Sequence, residues 1–275
     1  MRSSISSLGK GDCRSVCLRF FRGALLAALV LGPCAARASL PPEQPSHPIA
    51  AAAFHRGELA YRQRDFGRAL PWFRAAGEQG DAEAQNYVGW IYTNGLGTAR
   101  NLMEGARWYR RSAEKGNPIG ENYLGWMYQH GWGVEEDAAQ ALLWYRKAAD
   151  QGSAEAARHI AFLYRNGKGV STDYAQALHW FEKAAEKNDA TAQSSIGWMY
   201  QSGLGVGQNY AEAMRWYRRA AAQGDIDAEY GIGLLYANGW GVPSDIGEAA
   251  QWMQKSAEAG NAEAKDWLRT HGGSD

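Results

Sequence analysis

The chain has 275 residues, 29 basic and 29 acidic side chains and 45% hydrophobic content, enough apolar material for a folded core. Its three cysteines, Cys13, Cys17 and Cys34, all fall within the first 38 residues, so residues 39–275 hold no thiol, disulfide or cysteine metal site. Those 38 residues carry six of the basic and one of the acidic groups, leaving 23 against 28, a formal charge of −5 that argues against nucleic acid as a partner.

At the start of the chain a basic stretch (Arg2, Lys10, Arg14, Arg19, Arg22) precedes the apolar run GALLAALVLG at 23–32, and Ala36-Arg37-Ala38 supplies a small-x-small cleavage site. This layout predicts a Sec-type signal peptide over 1–38, cleaved after Ala38, and a periplasmic or secreted destination. An apolar run of about ten residues is too short for a bilayer crossing, which takes roughly 20. Membrane attachment would therefore come only through an uncleaved leader or lipidation at Cys34, where Pro33 fits lipoprotein processing poorly. Residues 39–49, with the four prolines of SLPPEQPSHP, read as a Pro-rich spacer.

From Asp81 the sequence repeats every 36 residues without insertion, giving units at 81–116, 117–152, 153–188, 189–224 and 225–260. Tyr92, Tyr128, Tyr164, Tyr200 and Tyr236 align, as do Trp108, Trp144, Trp180, Trp216 and Trp252. A period of this size signals a stacked array in which each unit buries its apolar face on its neighbours. Within the first unit, positions 4, 8, 11 and 12 (Ala84, Val88, Ile91, Tyr92) share one face at the helical period and define a helix A. The Asp or Asn opening most units caps its start, and the Gly-x-Gly at positions 15 and 17 ends it. A helix B follows from about position 21, with positions 25, 28, 29 and 32 facing inward. Glycine at position 9 of helix A (Gly89, Gly125, Gly197, Gly233) costs about 1 kcal/mol against alanine. Ala161 at that position in the third unit points to a steric requirement, a close helix contact, as the reason.

Residues 50–80 read as a shorter unit of tetratricopeptide length, without the Gly-x-Gly, and so as an amino-terminal capping repeat. Residues 261–275 supply a carboxy-terminal cap helix and tail. The fold expected is all-α: about six antiparallel helix pairs and a C-terminal capping helix.

The pattern is clearest in DATAQSSIGWMYQSGLGVGQNYAEAMRWYRRAAAQG at 189–224 and resembles the Sel-1-like repeat, a relative of the tetratricopeptide repeat, over about 81–260. The resemblance implies a right-handed α/α superhelix, commonly secreted or periplasmic in bacteria, that acts as an adaptor. A cysteine-rich subgroup is associated with β-lactam binding or hydrolysis; the missing cysteines set this chain apart from it.

No nucleophile with a base, zinc motif, nucleotide fingerprint or paired carboxylate with recognisable spacing is present, so no enzymatic activity, cofactor or metal is expected. His130 and His159 could approach each other across neighbouring A helices, but two histidines are weak evidence for zinc. Position 10 is aromatic in four units (Trp90, Trp126, Phe162, Trp198) and Leu234 in the fifth, about 160° round the helix from position 8. These side chains either pack between adjacent A helices or form an aromatic ladder along a groove. Position 6 (Asn86, Asn122, Arg158, Ser194, Tyr230) and position 13 (Thr93, Gln129, Arg165, Gln201, Ala237) flank them and vary in chemistry, as a recognition surface or a merely solvated face would. Trp132 and Trp240, between the paired glycines, either cover the turn or anchor a partner at the edge. The leading expectation is a monomeric, non-enzymatic scaffold of the bacterial cell envelope that holds a protein or peptide along the helix A groove. A module for cell-wall glycan or peptidoglycan fragments is the alternative, and a cell-wall or β-lactam hydrolase stands third.

Overall fold

Start and stop signals written into every unit turn the 36-residue period into helix pairs. The computed structural model describes residues 48–271; the leader with its cysteines, most of the spacer and the last four residues lie outside them. The described chain runs through α1 (Pro48–Arg62), α2 (Phe66–Glu78), α3 (Ala82–Asn94), α4 (Leu102–Glu114), α5 (Pro118–His130), α6 (Ala138–Asp150) and α7 (Ala154–Asn166). It continues through α8 (Tyr174–Glu186), α9 (Ala190–Ser202), α10 (Tyr210–Ala221), α11 (Ile226–Asn238), α12 (Ile246–Glu258) and α13 (Ala262–His271). The expected six helix pairs and a final single helix are thus present, and no strand occurs among the described residues. None of these helices is long and apolar enough to cross a membrane.

The odd-numbered helices α3 to α11 are the A helices. Asp81, Ser153, Asp189 and Asp225 accept hydrogen bonds from the N–H groups of Ala84, Ala156, Ala192 and Ala228, satisfying donors that the first turn cannot pair internally. The B helices α4 to α12 begin at position 22, because position 21 (Asn101, Asp137, Asp173, Asn209, Asp245) is itself the cap. α1 begins at Pro48, inside the expected spacer; proline suits a first helical turn, where its missing N–H costs nothing.

The paired glycines do two different jobs. The first of each pair ends helix A in the left-handed region, as at Gly203 with φ 69°. The second also has positive φ, but its missing side chain serves the stacking of repeats. A Cβ on Gly205 would stand 2.5 Å from the Tyr174 backbone carbonyl of the preceding B helix, and Gly97 meets the Phe66–Gly67 backbone in the same way.

Glycine at position 9 lets helix A lie against a ring of its own helix B. A Cβ on Gly89, Gly125 or Gly197 would come within 2.7–2.9 Å of Tyr109, Tyr145 or Tyr217, and Gly57 stands in the same relation to Phe73 of α2. The shortened first pair therefore keeps the same internal contact. The third repeat, with Ala161, places Phe181 there, and both are buried.

The described residues divide into two compact units, 48–120 with 132–135 and 121–131 with 136–271. In the first, Phe54, Tyr61, Phe66, Phe73, Tyr87 and Trp90 form a connected aromatic core, with Phe73 and Tyr87 stacked at 4.4 Å. In the second, Tyr145, Ile160, Leu163, Phe181, Ile196 and Met199 fill the centre, flanked by alanines at positions 4, 25 and 32. Smaller clusters around Ile232 and Met253 carry the packing to α13.

The position 28 tryptophans Trp108, Trp144, Trp180, Trp216 and Trp252 are each roofed by the cation three residues on, at 3.9–4.5 Å from the ring. These cations, Arg111, Lys147, Lys183, Arg219 and Lys255, are themselves exposed.

Gly205→Ala combines a left-handed backbone with a backbone overlap and should cost about 2–5 kcal/mol in chemical denaturation. Gly207→Ala, two residues away in open space, is expected to stay within about 1 kcal/mol of the parent and on the stable side.

Candidate functional site

The position 10 side chains divide according to their surroundings. Trp90 is 7% exposed and packs on Tyr61 and Phe66 at 5.6 and 5.8 Å, so it belongs to the core of the first unit. Trp126, Phe162 and Trp198 are half-buried along the edge of the second unit's core. Leu234 occupies the same place beside Tyr230, Trp267 and Leu268.

Position 6 faces the next repeat. Asn86 donates to Asn117 Oδ1 at 2.9 Å, Asn122 to Glu155 Oε2 at 3.1 Å, and Arg158 to Asp189 Oδ2 at 3.1 Å. Ser194 lies against Asp225, and Tyr230 packs in the final cluster. Asn86 and Asn122 are 1% and 3% exposed, so these amides join repeats and are withdrawn from solvent. Their variation follows the residue they meet in the following repeat, a correlation of 31 to 33 residues that reading one repeat at a time does not bring out.

Position 13 is coupled to position 29 of the same repeat. Tyr145 donates its hydroxyl to Gln129 Oε1 and Tyr217 to Gln201 Oε1, both at 2.7 Å. Where position 29 is Phe181 the partner is Arg165, and where it is Met253 the partner is Ala237. Glutamine thus stands opposite a phenolic hydroxyl and is absent where the hydroxyl is absent in the second unit. Thr93 is turned inward, donating to the Gly89 carbonyl at 2.7 Å. Each glutamine keeps its Nε2 donors directed away from the tyrosine.

Arg165 lies over Phe162 at 4.7 Å and Trp198 at 5.6 Å, and burial lowers its pKa from the ordinary value. His130 stacks on Trp126 at 4.2 Å and His159 on Tyr145 at 4.9 Å. Burial depresses both imidazoles below their usual range, which favours the neutral form at pH 7. No group of three or more metal-ligating side chains occurs among the described residues. Trp240 stacks on Tyr210 at 5.4 Å and Arg100 lies over Trp132 at 5.0 Å, so both loop tryptophans meet a side chain of the preceding repeat.

Repeated helix pairs, locked by glycine contacts and ordered by inter-repeat hydrogen bonds, define an α/α repeat scaffold. The chain belongs to the Sel1 repeat family, whose six repeats match residues 50–81, 82–117, 118–153, 154–189, 190–225 and 226–261. The first match covers the shortened helix pair. Sel1 repeat proteins generally mediate protein–protein interaction.

Among solved structures, the chain is similar to c5321, a protective antigen present in uropathogenic Escherichia coli strains displaying an SLR fold. Identity is 36% and the TM-score 0.74, over 80% of this chain and 48% of that one, so this chain spans about half of its length. A Sel1 repeat protein from Oxalobacter formigenes is similar at 32% identity and TM-score 0.73, over 78% of this chain and 86% of that one. No curated protein matches the sequence.

Asp225 gives a stability test of the inter-repeat contacts. Burial, reinforced by Asp227, pushes its carboxyl up to about 6 against hydrogen bonds from Ala228 and Ser194. The folded state therefore retains a proton that the unfolded chain releases near pH 4, and this group's contribution to stability falls as pH rises from about 4 to 6. Asp225→Asn keeps a capping oxygen, as Asn117 does in the second repeat. It should exceed the parent by about 1–3 kcal/mol at neutral pH and converge with it below about pH 4, measured by urea denaturation across pH.

Proposed function

We propose that this chain is an interaction scaffold of the bacterial cell envelope, periplasmic or secreted, acting as a monomer that holds an extended segment of another protein along the A-helix face of its second unit. The observation that carries this reading is the half-exposure of Trp126, Phe162 and Trp198 at 36-residue intervals. Partly exposed aromatic rings supply burial at low entropic cost, as interface anchors do. Gln129 and Gln201, two repeats apart, add amide donors suited to the backbone carbonyls of an extended chain. Export rests on the leader at 1–38, whose basic, apolar and small-residue segments occur in the order a signal peptide requires.

Half-exposed indoles would equally stack on sugar rings, which keeps a cell-wall glycan as the second reading. Affinity capture from envelope extract should compare residues 39–275 with a Trp126→Ala, Trp198→Ala double variant whose helicity and melting temperature are checked. The expected result is loss of a captured protein with the cooperative melt retained. Retention of the protein by the double variant would count against this face, and tryptophan quenching by soluble peptidoglycan fragments would favour the glycan reading.

A further inference from the structure

Arg158 and Arg165 lie seven residues apart on α7 and are treated differently by the fold. Arg158 is neutralised, bonded to Asp189 at 3.1 Å with Glu155 at 3.8 Å. Lys168 is likewise held by Glu136 and the Gln129 carbonyl, both at 3.1 Å. Arg165 is half-buried, yet no described carboxylate lies within ion-pair distance of it, and its side chain makes a single 3.3 Å Nε hydrogen bond to Asn166.

The rings beneath Arg165 explain how an uncompensated cation is tolerated there. Phe162 from its own repeat and Trp198 from the next offer their π-systems to the guanidinium. A guanidinium has five N–H donors lying in its plane, and those on Nη1 and Nη2 of Arg165 make no hydrogen bond among the described residues. With Nε turned to Asn166, the Nη1 and Nη2 edge remains for a ligand. That edge is the geometry that grips a carboxylate through two parallel hydrogen bonds.

We propose that Arg165 is the charge-reading anchor of the groove, binding the carboxylate of an Asp or Glu side chain within an extended peptide whose apolar residues cover Phe162 and Trp198. This rests on the groove reading above. Gln129 and Gln201, one repeat to either side at the same position, have spare amide donors, so the bound segment continues in both directions past Arg165. An internal acidic side chain fits that arrangement better than a free C-terminus.

The test uses randomised dodecamer peptides, made with free and with amidated C-termini, selected on residues 39–275 and in parallel on Arg165→Gln. The parent should enrich Asp or Glu at one internal register, equally in both peptide sets. Replacing that acid by Asn or Gln should weaken binding to the parent about tenfold or more and leave binding to Arg165→Gln nearly unchanged. Arg165→Lys keeps the charge without the planar fork and should fall between the two. Arg165→Gln should melt within a few degrees of the parent, because it breaks one long hydrogen bond and two ring contacts at a half-buried site and no ion pair.

Peptides that bind through Trp126 and Trp198 without acidic preference, or that lose equal affinity for both proteins, would overturn the role of Arg165 and leave the groove standing. Enrichment confined to free C-termini would replace the internal acid by a terminal carboxylate and overturn the proposal as stated. A parent that selects no peptide would overturn the groove reading and this inference together.

Discussion

Where helix A crosses its own helix B at Gly89, Gly125 and Gly197, a side chain even one carbon long would meet a tyrosine ring at 2.7–2.9 Å. That contact governs the rest of the repeat. It brings two 13-residue helices close enough for alanines at positions 4, 25 and 32 to complete the packing, so a small unit buries its core without cysteines or metal. It places the position 29 ring deep between the helices, and the ring's hydroxyl, where present, then requires a partner. Gln129 and Gln201 are that partner, which links the chemistry displayed on the inner face to the packing beneath it.

Much of this architecture could be read directly from the residues. The period, the helix pairs, the caps and the steric purpose of position 9 all rest on local chemistry: glycine at left-handed ends, short polar side chains at helix starts, and apolar spacing at the helical period. Harder to see were features that depend on two repeats at once. The second glycine of each pair looks like turn punctuation, yet at Gly205 it clears the backbone of Tyr174, 31 residues earlier. Asn86 and Arg158 look like display positions because they vary, while their side chains reach the cap of the next helix A. Trp90 and Trp126 occupy the same position of the repeat, and only the aromatic neighbours supplied by α1 and α2 bury Trp90.

The A-helix face of the second unit therefore combines repeated geometry with local exceptions. Glutamines are held in place by tyrosines, and Arg165 departs from that pairing where Phe181 offers no hydroxyl. Variation at position 13 is thus constrained by the core on one side and free to serve recognition on the other. A repeat scaffold acquires specificity in this way without disturbing its stacking.

The cations over the position 28 tryptophans bear on how such an array is made. Each Lys or Arg belongs to the same B helix as the ring it covers, three residues further on, so this cover forms together with that helix. A chain emerging one repeat at a time would show charge instead of bare indole on its outer surface while later repeats are still missing. Nascent arrays would then repel one another along the flank where stacked aromatics would otherwise draw them together, and aggregation during assembly would be resisted helix by helix.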